Sequence, residues 1–325
     1  MEKAEKSMQL AKRNMERWEQ RWIKARQRVS LFFISSTYVN ADILGLEWFQ
    51  DEITEGLEGL NCNVLSIIPK LESSVLFYPN LTIGHFYADG YLNDVIDKHP
   101  LAWQEDCTVL RYLDRSSYLE AGMDSGNMLS MVTGQRKGST YYVLKEFYSL
   151  PPQTARELAD AFLAYFAPMK RKILKLYYDR SMNNYKRVKS DMATQIKNCI
   201  EKYADGSSTG WSVQLMSLNQ GNIGSNLEYR FMQDLMAGNL QRRLFSLKID
   251  QYNCRNLKSE MEVTKTKSVT DRNGATMVVK EKMGDKLPTA RLPKESTNLT
   301  DAFKYLMMRK EWLRVWQSKG AAYIG

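Results

Sequence analysis

The sequence of 325 residues predicts a mixed α/β sheet with helices on both faces, and three observations support this fold class. After about residue 111, short apolar runs alternate with amphipathic segments of helical periodicity. A turn signal at Arg136–Ser139 separates two apolar runs and predicts a β-hairpin. Asn273-Gly274 lies between runs that alternate Thr, Val and Lys, and this dipeptide predicts a second hairpin.

We expect the first 110 residues to form a smaller α/β segment. The spacing of their apolar residues indicates helices at 1–28 and 43–56, and short apolar runs indicate strands at 30–37 and 62–69. The first helix either packs on its own domain or serves as a partner-binding arm. Periodicity fades around 98–117, so we place a boundary there and divide the chain into domains 1–110 and 111–325.

The second domain predicts a hairpin followed by alternating helices and strands. We expect strands at 117–124, 128–134, 140–150, 172–179, 211–218 and 243–249, and helices at 153–166, 186–203, 225–238 and 298–316. The polar stretch 250–296 is interpreted as an excursion from the core, which either clamps or gates DNA or is a decorative insertion. Trp312 and Trp316 are four residues apart on the last helix, which favours core packing over base stacking.

Composition excludes several classes of protein. The formal net charge of +9 favours a polyanionic partner, and no apolar run reaches the ~18 residues of a membrane span, so no membrane partner is expected. The cysteines are isolated, which excludes a zinc ribbon or a disulfide scaffold and suits a reducing cytosol. They are Cys62, Cys107, Cys199 and Cys254. With only His85 and His99 available, enzymatic chemistry should depend on carboxylates.

Three aspartates are the candidate catalytic and metal-ligating residues. Asp124 and Asp179 end predicted strands, and Asp301 lies in the first turn of the last helix, which are the places where an open sheet presents its ligands. Carboxylates suit Mg²⁺ or Mn²⁺, and two such ions can activate a water and stabilise the leaving oxygen of a phosphodiester. Each aspartate also has a local explanation, respectively as a turn residue, a loop cap and a helix N-terminal acid.

The residues around these aspartates resemble the nuclease domain of the large terminase subunit of tailed bacteriophages, an RNase H-like fold. The resembling segments are LEAGMDSG, LYYDRSMNNY and STNLTDAFKYL, within roughly 115–316. The resemblance implies a metal-dependent endonuclease in which Asp124, Asp179 and Asp301 hold two Mg²⁺ or Mn²⁺ ions and which cuts double-stranded DNA during genome packaging. It also implies the portal and the small terminase subunit as partners, and the host cytoplasm as the location of a viral or prophage-encoded motor.

The segment RVSLFFISSTYVNAD resembles a late strand of the ATPase region in the same family. No G-x-x-x-x-G-K-[ST] motif occurs in the chain, however. We therefore interpret residues 1–110 as a partial ATPase-like segment without a Walker A motif, in a fragment or split gene product. ATP hydrolysis by this chain alone is not expected.

Basic residues cluster where DNA would have to lie. Residues 170–189 contain eight basic side chains and one acidic side chain, which either contact a DNA backbone or form a solvated helix face. The candidate nucleic-acid-binding residues are Arg136, Lys137, Arg180, Lys186 and Arg187. Contacts to phosphates predict weak sequence preference and strong salt dependence.

Two other functions stay open at this stage. The chain could be a different RNase H-like nuclease, such as a recombinase or resolvase, which would prefer branched junctions to linear duplex. Alternatively, it could be a non-catalytic DNA-clamping or assembly module in which the three aspartates only cap turns, and its DNA binding would then be indifferent to divalent metal.

Overall fold

The computed structural model of the chain describes most of the residues after residue 74. The described ranges are 75–96, 98, 104–183, 186–187, 190–218, 220–221, 223–241, 243–270, 274, 276–282 and 287–318. The helices and strands predicted within 1–69 lie outside them. The chain divides into two compact units, Met1–Glu72 with Asp97–Trp103, and Ser73–Ile96 with Gln104–Gly325. Apart from Lys98, the described residues belong to the second unit, and the division into 1–110 and 111–325 stays a prediction.

The second unit contains alternating strands and helices. The strands are β1 (Phe86–Tyr87), β2 (Leu119–Ser125), β3 (Leu129–Lys137), β4 (Thr140–Ser149), β5 (Ile173–Tyr178), β6 (Lys186–Arg187), β7 (Ser190–Asp191), β8 (Ser212–Leu215), β9 (Ser246–Asp250), β10 (Thr266–Thr270) and β11 (Thr276–Lys280). The helices are α1 (Asn93–Ile96), α2 (Ala155–Tyr165), α3 (Met192–Glu201), α4 (Ser225–Met236), α5 (Arg255–Val263), α6 (Leu292–Glu295), α7 (Asn298–Met307) and α8 (Lys310–Gln317).

Seven of these strands form one mixed sheet in the order β1-β9-β4-β3-β2-β5-β8. Strand β3 runs antiparallel to its neighbours β2 and β4, whereas the other neighbouring pairs are parallel. Apolar clusters lie on both faces, one with α2 and α3 and the other with α4, α5, α7 and α8. This arrangement confirms the predicted mixed α/β sheet flanked by helices.

Alternate side chains of the central strand β2 point to opposite faces of the sheet. Ala121 and Met123 are fully buried in the cluster that α2 and α3 complete. The intervening residues Glu120, Gly122 and Asp124 must therefore face the opposite side of the sheet, where α7 packs. An acidic residue is thus directed to the α7 side at the carboxyl end of β2.

The last predicted helix, 298–316, is in fact two helices. Helix α7 ends at Met307, Arg309 has extended backbone angles (φ −74°, ψ 154°), and α8 begins at Lys310. At this break the Arg309 guanidinium points into the core, where it forms a bidentate ion pair with Glu120 at 2.5 and 2.9 Å. Trp312 and Trp316 are buried, which confirms the core interpretation.

The interpretation of 250–296 as an excursion is wrong for part of that stretch. Helix α5 begins there and places Leu257, Glu260 and Met261 in the core with no exposed surface. The buried Glu260 carboxylate accepts hydrogen bonds from the Thr300 backbone amide and the Ser296 hydroxyl at 2.9 Å each. The excursion is therefore the β10–β11 hairpin, which pairs in the predicted way. In the described part of the chain, no helix is long and apolar enough to span a bilayer.

Candidate active site

Asp124 and Asp179 lie at the same edge of the sheet because their strands are parallel neighbours. In the register of β2 and β5, Met123 pairs with Tyr178, and the next residue on each strand is one of the two aspartates. Neighbouring strands are ~4.8 Å apart. Each carboxylate accepts one local backbone hydrogen bond at 3.1 Å, from Gly126 to Asp124 and from Ser181 to Asp179. The predicted local roles are therefore real, but they leave further carboxylate lone pairs available.

Helix α7 brings Asp301 to the same end of the sheet. The helix runs antiparallel to β2. Ala302 lies against Gly122, and the earlier helix residue Asn298 lies against the loop that follows β2. A methyl group at Gly126 would overlap Asn298 Oδ1 and lie 3.0 Å from Asp124 Oδ2. The amide of Asn298 and the carboxylate of Asp124 are therefore close, and Asp301 lies one turn further along the helix.

The electrostatics of the site show that the three carboxylates influence one another. Burial is the main cause that raises the pKa of Asp124 to about 7. The negative charge of Asp301 raises the pKa of Asp124 as well, and Asp179 adds a smaller contribution of the same sign. Burial also raises the pKa of Tyr305, and the negative charges of all three aspartates add to that rise. The aspartates thus form one acidic cluster, defined here as Asp124, Asp179 and Asp301.

Asp301 differs from the other two because lysines surround it. Its Oδ1 accepts from Lys280 at 2.9 Å and from Lys304 at 3.4 Å, and its Oδ2 lies 3.5 Å from Lys282. Burial alone would raise the pKa of Asp301, but these ammonium groups outweigh burial and hold the pKa below its ordinary value. The Asp301 carboxylate therefore stays ionised although it is buried.

A second acid completes this ionic network. The Glu228 carboxylate from α4 is 2.6 Å from Lys280 Nζ and 3.5 Å from Lys304 Nζ. Lys280 is only 3% exposed and comes from the end of β11. The β10–β11 hairpin is thus joined to the site by a buried ion pair, which the sequence did not indicate.

The donor set suits a divalent cation, although the side chains do not enclose one as they stand. Within the described residues, no three His, Cys, Asp or Glu side chains are grouped closely enough to hold a metal ion. The oxygen donors nevertheless have the hard character that Mg²⁺ and Mn²⁺ prefer, and a cation would offset both the burial and the repulsion that raise the pKa of Asp124. The buried residue Asn298, 7% exposed, also has an Nδ2 group beside this cluster that finds no hydrogen-bond partner in the described part of the chain.

A cleft of about 790 Å³ opens beside the loops that follow Asp124 and Asp179, and none of the three aspartates lines it. Its walls include the three residues that follow Asp124 and Ser181, which follows Asp179 by two positions. The beginning of α2 forms the other side. The cleft therefore borders the loops after the two strand-end aspartates, on the side of the sheet that α2 and α3 cover.

The five candidate nucleic-acid-binding residues fall into two groups. Arg180 directly follows Asp179 and is exposed, and Lys186 and Arg187 form β6 in the segment after it. Arg136 and Lys137 instead end β3, six and seven positions beyond the residue that pairs with Asp124. At ~3.3 Å per residue, Arg136 is ~20 Å from the acidic end of the sheet. The structure does not bring these two groups together.

Several residues of the site were not predicted from the sequence. Lys304 follows Asp301 by three positions, so helical spacing could have indicated that pair. Asn298 is the first residue of α7, directly after the N-cap Thr297. Lys280, Lys282 and Glu228 reach the site from other elements, so only the tertiary structure reveals them.

No family model and no curated protein matches the chain. Among solved structures, the Mn-bound nuclease domain of the large terminase g2p from bacteriophage SPP1 has 13% identity and a TM-score of 0.39, covering 72% of this chain and 97% of that domain. The nuclease domain of the P22 large terminase has 14% identity and a TM-score of 0.35, covering 58% of this chain and 78% of that domain.

A third similar structure is the large terminase of a thermophilic bacteriophage in complex with ATP-γ-S. It has 11% identity and a TM-score of 0.41, and the match covers 77% of this chain. The chain spans about half the length of that protein, since the match covers 48% of it. The structure is thus similar, at low sequence identity, to structures of phage large terminases and their nuclease domains.

Proposed function

We propose that the chain is a divalent-metal-dependent endonuclease that cuts double-stranded DNA. The observation that carries the proposal is the convergence of Asp124, Asp179 and Asp301 from β2, β5 and α7 at one end of the sheet. A buried acidic residue with a strongly raised pKa is typical of a functional site. Phosphodiester hydrolysis by carboxylate-held metal ions requires no histidine, in keeping with this site.

In this proposal the three carboxylates would hold two Mg²⁺ or Mn²⁺ ions. When bound, such ions supply water activation and charge stabilisation for phosphodiester hydrolysis. The chain itself keeps Asp301 ionised through Lys280 and Lys304. Asp124 must lose its proton before it can bind a cation, so its raised pKa makes the site sensitive to pH near 7. In this proposal the exposed Arg180 beside Asp179 would contact a DNA phosphate.

The place of this nuclease in DNA packaging rests on the resemblance of the aspartate segments to large terminase subunits. We propose double-stranded DNA as the substrate, the portal and the small terminase subunit as partners, and the host cytoplasm as the location. Because the chain has no Walker A motif, ATP hydrolysis would have to come from another polypeptide or from a longer form of this one.

One observation favours a second candidate function. Asp124 and Asp179 each bond the backbone of the loop that follows, and Asp301 is already neutralised by lysines. In a non-catalytic DNA-clamping module, the three aspartates would have only such structural contacts. Such a module would bind DNA equally well with and without divalent metal and would not cleave it.

Plasmid nicking in Mn²⁺ separates these functions. Wild type should convert supercoiled plasmid to open circles, and D124N, D179N and D301N should each reduce the rate by a factor of about 100 or more, since each removes a proposed metal ligand. D94N changes an exposed aspartate on α1 and should nick at the wild-type rate. Nicking by D124N or D179N at the wild-type rate would contradict the proposal, and preference for a four-way junction over linear duplex would indicate a resolvase.

A further inference from the structure

The two carboxylate oxygens of Asp301 have different partners. Oδ1 is held by Lys280 and Lys304, whose side chains are 3% and 12% exposed. Oδ2 is approached by Lys282, whose side chain is 64% exposed. One oxygen is therefore held from inside the protein and the other from the solvent side.

Lys282 also influences the other end of the acidic cluster. Its ammonium charge lowers the pKa of Asp124, against the larger effects of burial and of Asp301 that raise it. A single long side chain thus contributes positive charge to two carboxylates that repel each other. This is the charge that an added cation would supply, and it lies beside the oxygen that such a cation would need.

The buried Asn298 amide marks the same place independently of the charges. Its Nδ2 has no hydrogen-bond partner among the described residues, and its Oδ1 lies next to Asp124 across Gly126. A buried donor without a partner is costly, so it indicates a hydrogen-bond acceptor such as ordered water at that position. The buried cluster therefore has an unsatisfied polar neighbour, and the exposed Lys282 lies on its solvent side.

We propose that Lys282 competes with divalent cations for Asp301 Oδ2 and thereby sets the cation affinity of the site. The inference rests on the proposed metal-dependent function. An exposed ion pair is weak and is readily exchanged, whereas the buried pair with Lys280 is not. Binding of a cation to Oδ2 displaces the Lys282 ammonium toward solvent and leaves Lys280 and Lys304 on Oδ1.

Isothermal titration of the whole chain with MnCl₂, without DNA, tests this competition. K282Q should bind Mn²⁺ about three- to tenfold more tightly than wild type, because the competing ammonium is gone. K282R keeps the charge and should return the Kd to near the wild-type value. K267Q makes the same charge change at an exposed position of β10 and should bind Mn²⁺ like wild type, which excludes a general effect of net charge.

The outcomes distinguish this inference from the proposed function. Equal or weaker Mn²⁺ binding by K282Q, with clear binding by wild type, overturns the role of Lys282 and leaves the nuclease proposal intact. Equal tightening in K267Q and K282Q also overturns it, because the effect would then be long-range. Absence of Mn²⁺ binding to both wild type and K282Q overturns the metal-dependent function and this inference with it.

Discussion

Gly122 of β2 lies directly against the backbone of Ala302 in α7. A methyl group on Gly122 would overlap the Ala302 carbonyl oxygen and lie 2.7 Å from the backbone nitrogen of Leu306. Only glycine permits this approach of helix to strand. The ion pair of Glu120 with Arg309 fixes the same helix further along. Together these contacts set the position of α7 along β2, and that position places Asp301 beside Asp124.

Substitution of Gly122 by alanine tests whether this close packing supports the site. We expect G122A to lower the free energy of unfolding by about 1–3 kcal/mol, because the helix must move away from the strand. Urea unfolding measures the loss. G221A is the matched control, since a methyl group there meets no atom within 4 Å and the glycine does not have a positive φ. Equal stability of the two variants would contradict the packing argument.

The buried Lys280 should contribute strongly to stability. K280M leaves Glu228 and Asp301 without their shortest ion pairs, and removal of one partner from such a buried network costs about 3–5 kcal/mol. Urea unfolding at pH 7 measures this loss. K267M on the opposite strand of the same hairpin should change the free energy of unfolding by about 0.5 kcal/mol or less, because Lys267 is exposed. Comparable losses in both variants would show that hairpin charge, not the ion pair, is responsible.

The sequence predicted the acidic end of the sheet because period-two and apolar patterns are local. Asp124 and Asp179 follow strands whose buried side chains are apolar, so their positions could be inferred before any contact was known. Lys280 could not be inferred, because lysine in a polar hairpin is normally exposed and its burial depends on Glu228 in α4. The end of α7 could not be inferred from the sequence either. The amphipathic pattern continues through Arg309, and the break depends on the ion pair of Arg309 with Glu120, which is 189 positions away.

The raised pKa of Asp124 predicts how stability without metal depends on pH. Burial and the nearby Asp301 and Asp179 raise the folded-state pKa from 3.8 to about 7, so the folded chain holds a proton that the unfolded chain has lost. This contribution to stability is fully present below pH ~4 and is lost as the pH rises through 7. Relative to D124N, wild type should therefore become less stable between pH 4.5 and pH 8.

Urea unfolding in EDTA at three pH values measures this difference. D94N should follow wild type at each pH, because Asp94 is exposed on α1 and lies outside the acidic cluster. The comparison with D124N is needed because burial also raises the pKa of Glu260 and Glu146, which act in the same direction in both proteins. A constant difference between wild type and D124N across this range would show that Asp124 is ionised throughout.

The two groups of basic residues should each contribute to the salt dependence of DNA binding. The ~20 Å between Arg136 and the acidic end corresponds to about six base pairs at 3.4 Å per pair, so one duplex lying along β2 can reach both. On a 30-base-pair duplex in EDTA, R136Q/K137Q should reduce the slope of log K against log salt by about 1.8, and R180Q/K186Q/R187Q by about 2.7. Fluorescence anisotropy at several salt concentrations measures both slopes. K202Q removes one exposed lysine outside these groups and should leave the slope unchanged. If R136Q/K137Q leaves the slope unchanged, as K202Q should, the duplex does not contact Arg136 and Lys137.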